Sequence, residues 1–315
     1  MENLFLKKAW IVGIILLFIG ASVVSGFNTN STNSSQPMNR SWLYVGGSGP
    51  GNYTSIQSAI DAASNGDTIY VYNGTYNESL VITEKNNLTL IGENKQTTII
   101  NAIDSETNMG SIYVVTSYSF RISGFTLRGF NAPCIYFRDL FDSLAYDCIL
   151  KDSIYGGVIY TEYTSENNTI RDCEIYNNNV GIGVAGANEN YYLNRSSILN
   201  CSIHNNGIGV SIHGRSDWYG VINHTTINGC SIFNNTDEGI FINQLLGKIQ
   251  GVTIENNNIR NNSNSGIEIR NASIIDISDC VVYNNSNGVT VSNTINCIIK
   301  NITYLFSCGR DTAFV

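Results

Sequence analysis

The chain has 315 residues, a formal net charge of −8 and a pI near 4.9, with 13% charged residues, 29 Gly and 3 Pro. That acidic balance excludes nucleic-acid binding, which needs a basic face. Frequent glycine without a collagen period or abundant proline points to many tight turns and excludes a triple helix.

The first 26 residues read as a targeting segment. Lys7 and Lys8 precede an apolar run from Trp10 to Val24, and Ser22, Ser25 and Gly26 offer cleavage sites. This is a secretory signal peptide or an uncleaved N-terminal anchor. The run is shorter than the roughly 20 apolar residues a spanning helix prefers. Residues 27–41 (FNTNSTNSSQPMNRS) form a polar linker without core formers. No second apolar span follows, so membrane contact is expected only through an uncleaved N-terminus. The expected location is extracellular, secreted or at the cell surface. N-x-S/T sequons recur, for example at Asn52, Asn73, Asn167, Asn223 and Asn284, consistent with a glycoprotein in a host that glycosylates.

Residues 42–315 read as one domain. Its first element is a helix over 54–64, since Ile56, Ala59, Ile60 and Ala63 fall at i, i+3, i+4 and i+7. Thr54 and Gln57 form a capping box and Gly66 a stop signal. Short strands follow at once in DTIYVYNGTYNE, LVITEKNNLTLIG and TTIINA.

From residue 147 a repeat takes over. DCEIYNNNVGIGV (172–184), NCSIHNNGIGVSI (200–212), GCSIFNNTDEGIFI (229–242), NNNIRNNSNSGIEI (256–269) and DCVVYNNSNGVTV (279–291) share one template. It reads C/N-x-I-x-N-N-x-x-G-[IV]-x-[IV], with a weaker copy at 147–160. An apolar residue sits three positions before each Cys/Asn slot: Ile170, Ile198, Ile227, Ile254 and Ile277. Apolar and polar residues alternate over very short runs, which is a strand period. Each repeat therefore holds three short strands, with Asn and Gly at the turns. No repeat can bury its own face, so the repeats must stack as a solenoid. The expected fold is all-β: a single-domain right-handed parallel β-helix with coils over about 68–306 and the helix plugging its N-terminal end. The inward column should carry Ile, Val and Cys, and the Asn positions should stack as hydrogen-bonded ladders. Cys148, Cys173, Cys201, Cys230 and Cys280 share one inward slot and are expected as free thiols. Without C-x-x-C, a zinc or redox motif is not supported.

On these residues a family resemblance becomes plain. YTSIQSAIDAASNGDTIYVYNGTYNESLVI followed by NNLTLIGE resembles the opening of pectin-lyase-like right-handed β-helix proteins. The later coils resemble the NosD-like repeats of secreted and surface proteins. The resemblance spans residues 42–306 and implies fold far more than function, because the fold hosts lyases, hydrolases, esterases, epimerases and adhesins. GTYNE (74–78) resembles the first motif of pectin methylesterases, but their catalytic Gln, Asp and Arg motifs find no match. Gly74, Tyr76 and Glu78 then read as an edge turn. NTDEGIFI (235–242) resembles one polygalacturonase motif, without the Asp-Asp pair or Gly-His-Gly that accompany it. Pectate lyases need a calcium-binding acidic set, of which only fragments are present. No cofactor is expected, and calcium has no supporting motif.

The register of the G-[IV]-x-[IV] strands carries a specific expectation. The middle residues (Ser211, Phe241, Glu268, Thr290) and those just after (His213, Asn243, Arg270, Ser292) should point outward and stack coil on coil. Asp237 and Glu238 lie at a strand entrance, and Arg215, Asp217, Trp218 and Tyr219 should overhang in a loop. Two uses are open for this face. His213, Arg215, Asp217, Trp218, Asn243 and Arg270 would bind a polysaccharide, which makes the chain a module that binds or organises glycan at the cell envelope. Alternatively Asp237, Glu238 and Glu268 would serve a polysaccharide lyase or glycoside hydrolase acting on an acidic glycan, since paired carboxylates carry glycoside cleavage. A third reading is a structural adhesin or surface-layer component, in which the charges are a solvated surface. The C-terminal stretch after Tyr304 shows no amphipathic cap, which leaves three readings: Phe306 to Val315 fold over the end, another subunit covers it by end-to-end self-association, or the chain is a fragment.

Overall fold

A computed structural model of the protein describes residues 41–103, 110–160, 164–185, 192–213, 220–245 and 248–305. The described chain winds as a parallel β-helix. Each strand pairs in parallel with its counterpart one coil away. One unbroken column of first strands runs from Trp42 through Thr68, Thr89, Arg121 and Leu144 to Thr169, Ser197, Thr226 and Thr253. It continues to Asp276 and Ile298. The alternation predicted for these strands holds: Ile170, Ile198, Ile227, Ile254 and Ile277 are all fully buried in one continuous core.

The coil differs from the expected three strands in one respect. A fourth short segment has its own column, through Ser165–Glu166, Tyr192–Asn194, Val221–Asn223 and the start of Lys248–Glu255. Leu193, Ile222 and Ile249 point inward from it. A segment of two or three residues offers a single inward side chain, too little alternation to read as a strand period.

The Asn-Asn pairs divide two jobs between adjacent residues. The first of each pair (Asn177, Asn205, Asn234, Asn261, Asn284) has φ of 54–55° and turns the chain, a conformation asparagine tolerates. The second (Asn178, Asn206, Asn235, Asn262, Asn285) is buried and forms the ladder. Asn206 shows the pattern. Its Oδ1 accepts from the backbone N–H of Asn178 at 3.1 Å and from Asn178 Nδ2 at 3.1 Å. Its Nδ2 donates to Ile175 O at 3.1 Å and to Asn235 Oδ1 at 3.2 Å. The series continues from Asn235 to Asn262 at 2.8 Å and from Asn262 to Asn285 at 2.9 Å. Every polar atom of the Asn206 amide is used, which is what a buried amide requires.

The cysteine slot lies beside this ladder. Cys148, Cys173, Cys201, Cys230 and Cys280 are buried and free, as expected. Burial pushes the thiol of Cys280 up, away from the reactive thiolate. Where Asn257 takes the slot, its Oδ1 accepts from Cys230 N at 2.9 Å and its Nδ2 donates to Ile227 O at 2.9 Å.

The capping helix spans Ile56–Ala62, with Ile56, Ala59 and Ile60 turned into the core. Its caps differ from the expected ones. Ser55 is the N-cap and its hydroxyl accepts from Ser58 N at 3.1 Å; Ala63, not Gly66, closes the other end. Gln57 is unavailable for a capping box because its amide pairs with the backbone of Val81 on the next strand. Glu78 takes part instead: its carboxylate accepts from Ile56 N and Gln57 N, each at 3.0 Å. A carboxylate suits the positive end of a helix. Gly74–Asn77 is thus a strand paired with Thr98–Asn101, not an edge turn.

Asn206→Ala should lower the stability of the full chain by about 3 kcal/mol, because it leaves donors of Asn178 buried without an acceptor. Urea unfolding followed by circular dichroism checks this, with exposed Ser286→Ala expected to shift the midpoint little.

Candidate functional site

Four third strands build the site: Ile208–His213, Ile240–Asn243, Ser265–Arg270 and Asn287–Ser292. Their branched residues Val210, Ile212, Ile240, Ile242, Ile267 and Ile269 are fully buried inside the solenoid. The residues between and after them therefore face the other way. Ser211, Phe241, Glu268 and Thr290 lie in one registered row, and His213, Asn243, Arg270 and Ser292 in the next. The glycine opening each strand lets the turns stack closely. A Cβ at Gly239 would meet Gly266 O at 2.6 Å and Asn262 Nδ2 at 2.8 Å.

The first row is more sheltered than a solenoid surface usually is. Glu268 is 7% exposed and Glu238, at the strand entrance, 6%. Asp237 beside it is exposed. Glu268 is held from two sides: by an ion pair with the Arg270 guanidinium and by the Ser265 hydroxyl, which donates to Oε2 at 3.3 Å. Arg270 also lies over the Phe241 ring, 5.8 Å from its centroid. Asn264 joins the other two carboxylates, donating through Nδ2 to Glu238 Oε1 at 2.9 Å and to Asp237 Oδ1 at 3.1 Å. Burial first, then the neighbouring charges of Asp237 and Glu268, pushes the Glu238 carboxyl above the usual carboxylate range. Glu238 thus holds its proton more tightly than an exposed glutamate would.

The other expected residues sit at the margins. His213 Nδ1 is 3.1 Å from the Ser211 hydroxyl. Asn243 Oδ1 accepts from Asn271 Nδ2 at 3.2 Å. Arg215, Asp217 and Trp218 lie outside the described residues, as does Tyr219. Asn264 and Ser265 were not among the expected site residues. Their signal is positional: on the coil after Asp237 and Glu238, Asn264 precedes the third strand and Ser265 opens it, just before Gly266. Among the described residues no group of three or more His, Cys, Asp or Glu side chains is arranged to hold a metal ion. Among them also, no helix is long and apolar enough to cross a membrane.

Glu238→Gln should raise stability at neutral pH. A carboxyl whose folded pKa is raised contributes stability below its unfolded pKa and loses it as pH rises through the folded value. The gain over the wild type should shrink to nothing as pH falls below the ordinary glutamate range. Urea titrations at a series of pH values check the sign.

Comparison with known proteins agrees with this architecture. A family described as "right handed beta helix region" matches residues 194–303, and one described as "pectinesterase" matches residues 43–134. A probable pectinesterase/pectinesterase inhibitor 41 of Arabidopsis thaliana is 31% identical over 150 residues. That match covers 42% of this chain and 26% of the relative, so the chain spans about a quarter of that protein's length. Among solved structures, the pectate lyase Pel9A superposes with a TM-score of 0.60 at 13% identity, covering 87% of this chain and 82% of its own. A polygalacturonase from Erwinia carotovora ssp. carotovora gives 0.57 at 14% identity, covering 90% of this chain and 100% of its own. With the parallel register and the continuous core, these likenesses identify the chain as a right-handed parallel β-helix with the pectin-lyase-like fold.

Proposed function

We propose that the third-strand face binds a polysaccharide laid along the solenoid axis, and that the protein works outside the cell or at its envelope. One observation carries this reading: two registered rows of side chains, Ser211–Phe241–Glu268–Thr290 and His213–Asn243–Arg270–Ser292, repeat at the coil spacing. A polymer can meet such rows one coil after another. The aromatic ring of Phe241 offers a surface for a sugar face. The exposed part of Arg270 suits a uronate carboxylate or a sulfate. The likeness to a pectinesterase and to polysaccharide-active neighbours supports a polysaccharide as the partner.

A second reading, cleavage of the bound chain, is favoured by one feature. Glu238, whose proton affinity is raised chiefly by burial, stands in the electrostatic reach of Asp237 and Glu268. Carboxyl groups whose environments push their proton affinities apart are what glycoside hydrolysis uses, one as acid and one as base or nucleophile.

The test is retention and turnover on neutral, uronic and sulfated polysaccharides, with and without calcium. Phe241→Ala and Arg270→Ala should each weaken retention about tenfold. No retention on any polymer would overturn the binding reading. Turnover abolished by both Glu238→Gln and Glu268→Gln would establish the second reading, and turnover that survives them would remove these carboxylates from catalysis.

A further inference from the structure

A different surface, at the N-terminal end and on the first-strand column, combines exposed aromatic rings with a polar cavity. Trp42 and Tyr44 lie on Trp42–Val45 and point away from the core, 54% and 40% exposed. Tyr70, registered opposite Tyr44, and Tyr72 continue the array on the next coil. Trp42 and Tyr44 stack with centroids 6.3 Å apart, as do Tyr44 and Tyr72, and Tyr70 meets Tyr72 edge-on at 5.2 Å. Four aromatic side chains thus tile two adjacent coils. Isolated exposed hydrophobic residues are ordinary on a protein surface; a contiguous aromatic patch marks an interaction site.

The coils beyond supply the polar part. Tyr70 is in register with Ile91, and Ile91 with Ser123. Both line a cavity of about 450 Å³ together with Glu93, Lys95 and Asp147. Gly92 and Gly124 are also among its lining residues. Gly92 and Gly124 approach so closely that a Cβ at Gly92 would lie 2.1 Å from Gly124 O. Lys95 Nζ is 2.6 Å from Asp147 Oδ1, and this hydrogen bond raises the lysine's proton affinity and keeps it charged. Glu93 is fixed from the other side, its Oε2 accepting from Asn73 N at 2.8 Å. The ring array and the cavity adjoin, because Glu93 follows Val71 in register and donates its N–H to Val71 O at 2.9 Å.

We propose that this surface is a second polysaccharide-binding site, separate from the third-strand face, and that it takes a neutral hexopyranose chain. Pyranose rings present C–H faces that pack on aromatic rings, while their hydroxyls need both donors and acceptors at the edge. The cavity offers both, in the Lys95 ammonium and in the Asp147 and Glu93 carboxylates. Two carboxylates against one ammonium disfavour a polyuronate, which selects the neutral polymer. The site does not depend on the reading of the third-strand face, because the two surfaces belong to different strand columns and share no residue.

The experiment uses the full chain with cellohexaose, mannohexaose and hexagalacturonate, read by titration calorimetry and tryptophan fluorescence. At least one neutral hexasaccharide should bind. Tyr44→Ala and Lys95→Met should each weaken that binding about tenfold, Tyr44→Phe should restore it, and Ser286→Ala, at an exposed residue of neither site, should leave it unchanged. Trp42→Phe should remove most of the fluorescence response. The proposal is overturned if no neutral hexasaccharide binds, or if Tyr44→Ala and Lys95→Met bind as the wild type does. A concentration-dependent dimer broken by Tyr44→Ala, with no glycan binding, would also overturn it and assign the rings to a second copy of the chain.

Discussion

No coil of this protein can bury its own strands, and that constraint shapes everything built on them. A coil carries three or four strands of a few residues, each with one or two inward side chains. Only the neighbouring coil supplies the missing hydrogen-bond partners and the other side of the core. The stacking therefore has to be held in register, and the inward asparagine ladder does this. Each interior amide ties the backbone and side chain of one coil to the next, and at Asn206 every donor and acceptor is used. A slip in register would leave several buried amides unpaired at once, so the cost of misalignment is high and local.

Strict register is also what makes a linear site from a repeating sequence. A residue type placed once per coil becomes a row along the axis. The third-strand face turns Phe241, Glu268 and Arg270 into neighbours although they lie in two repeats. The turn before each third strand adds the Asp237–Glu238–Asn264 group. Placing Glu238 where solvent is scarce changes its chemistry. Exposed, Glu238 would be an ordinary anion; sheltered beside two other carboxylates, it holds its proton more tightly.

The N-terminal end solves a different problem with related means. Among the described residues no coil precedes the one that starts at Trp42; the helix Ile56–Ala62 turns Ile56, Ala59 and Ile60 into the core there, and Glu78 of the next coil anchors the helix through two backbone N–H groups. The outer face of that end remains uncovered by described residues and carries the aromatic array. The solenoid thus has two chemically distinct surfaces, on different strand columns.

Much of this architecture was legible in the residues alone. The Cys/Asn slot, the Asn pair and the G-[IV]-x-[IV] strand specify which side chains go inward, and the observed pairings of Phe241 with Glu268 and of Asn243 with Arg270 follow that count. Periodicity can be read because the alternation of a strand is local and each repeat restates it. The helix caps were less legible: Thr54 with Gln57 fits the capping pattern as well as Ser55, and the choice is made by Val81, which claims the Gln57 amide from another coil. The fourth strand was hidden because its segments are too short to show a period. Burial was hidden too. Nothing near Glu238 in the chain indicates that Asn264, a coil away, will hold its carboxylate. Nor does the spacing of Glu93, Lys95 and Asp147 suggest one cavity. The sequence by itself determined the solenoid, its register and the rows of its faces, because these depend on local alternation repeated many times. Only the tertiary structure decided which polar groups are sheltered and which share a hydrogen bond or a cavity, because burial and contact arise between coils and have no counterpart along the chain.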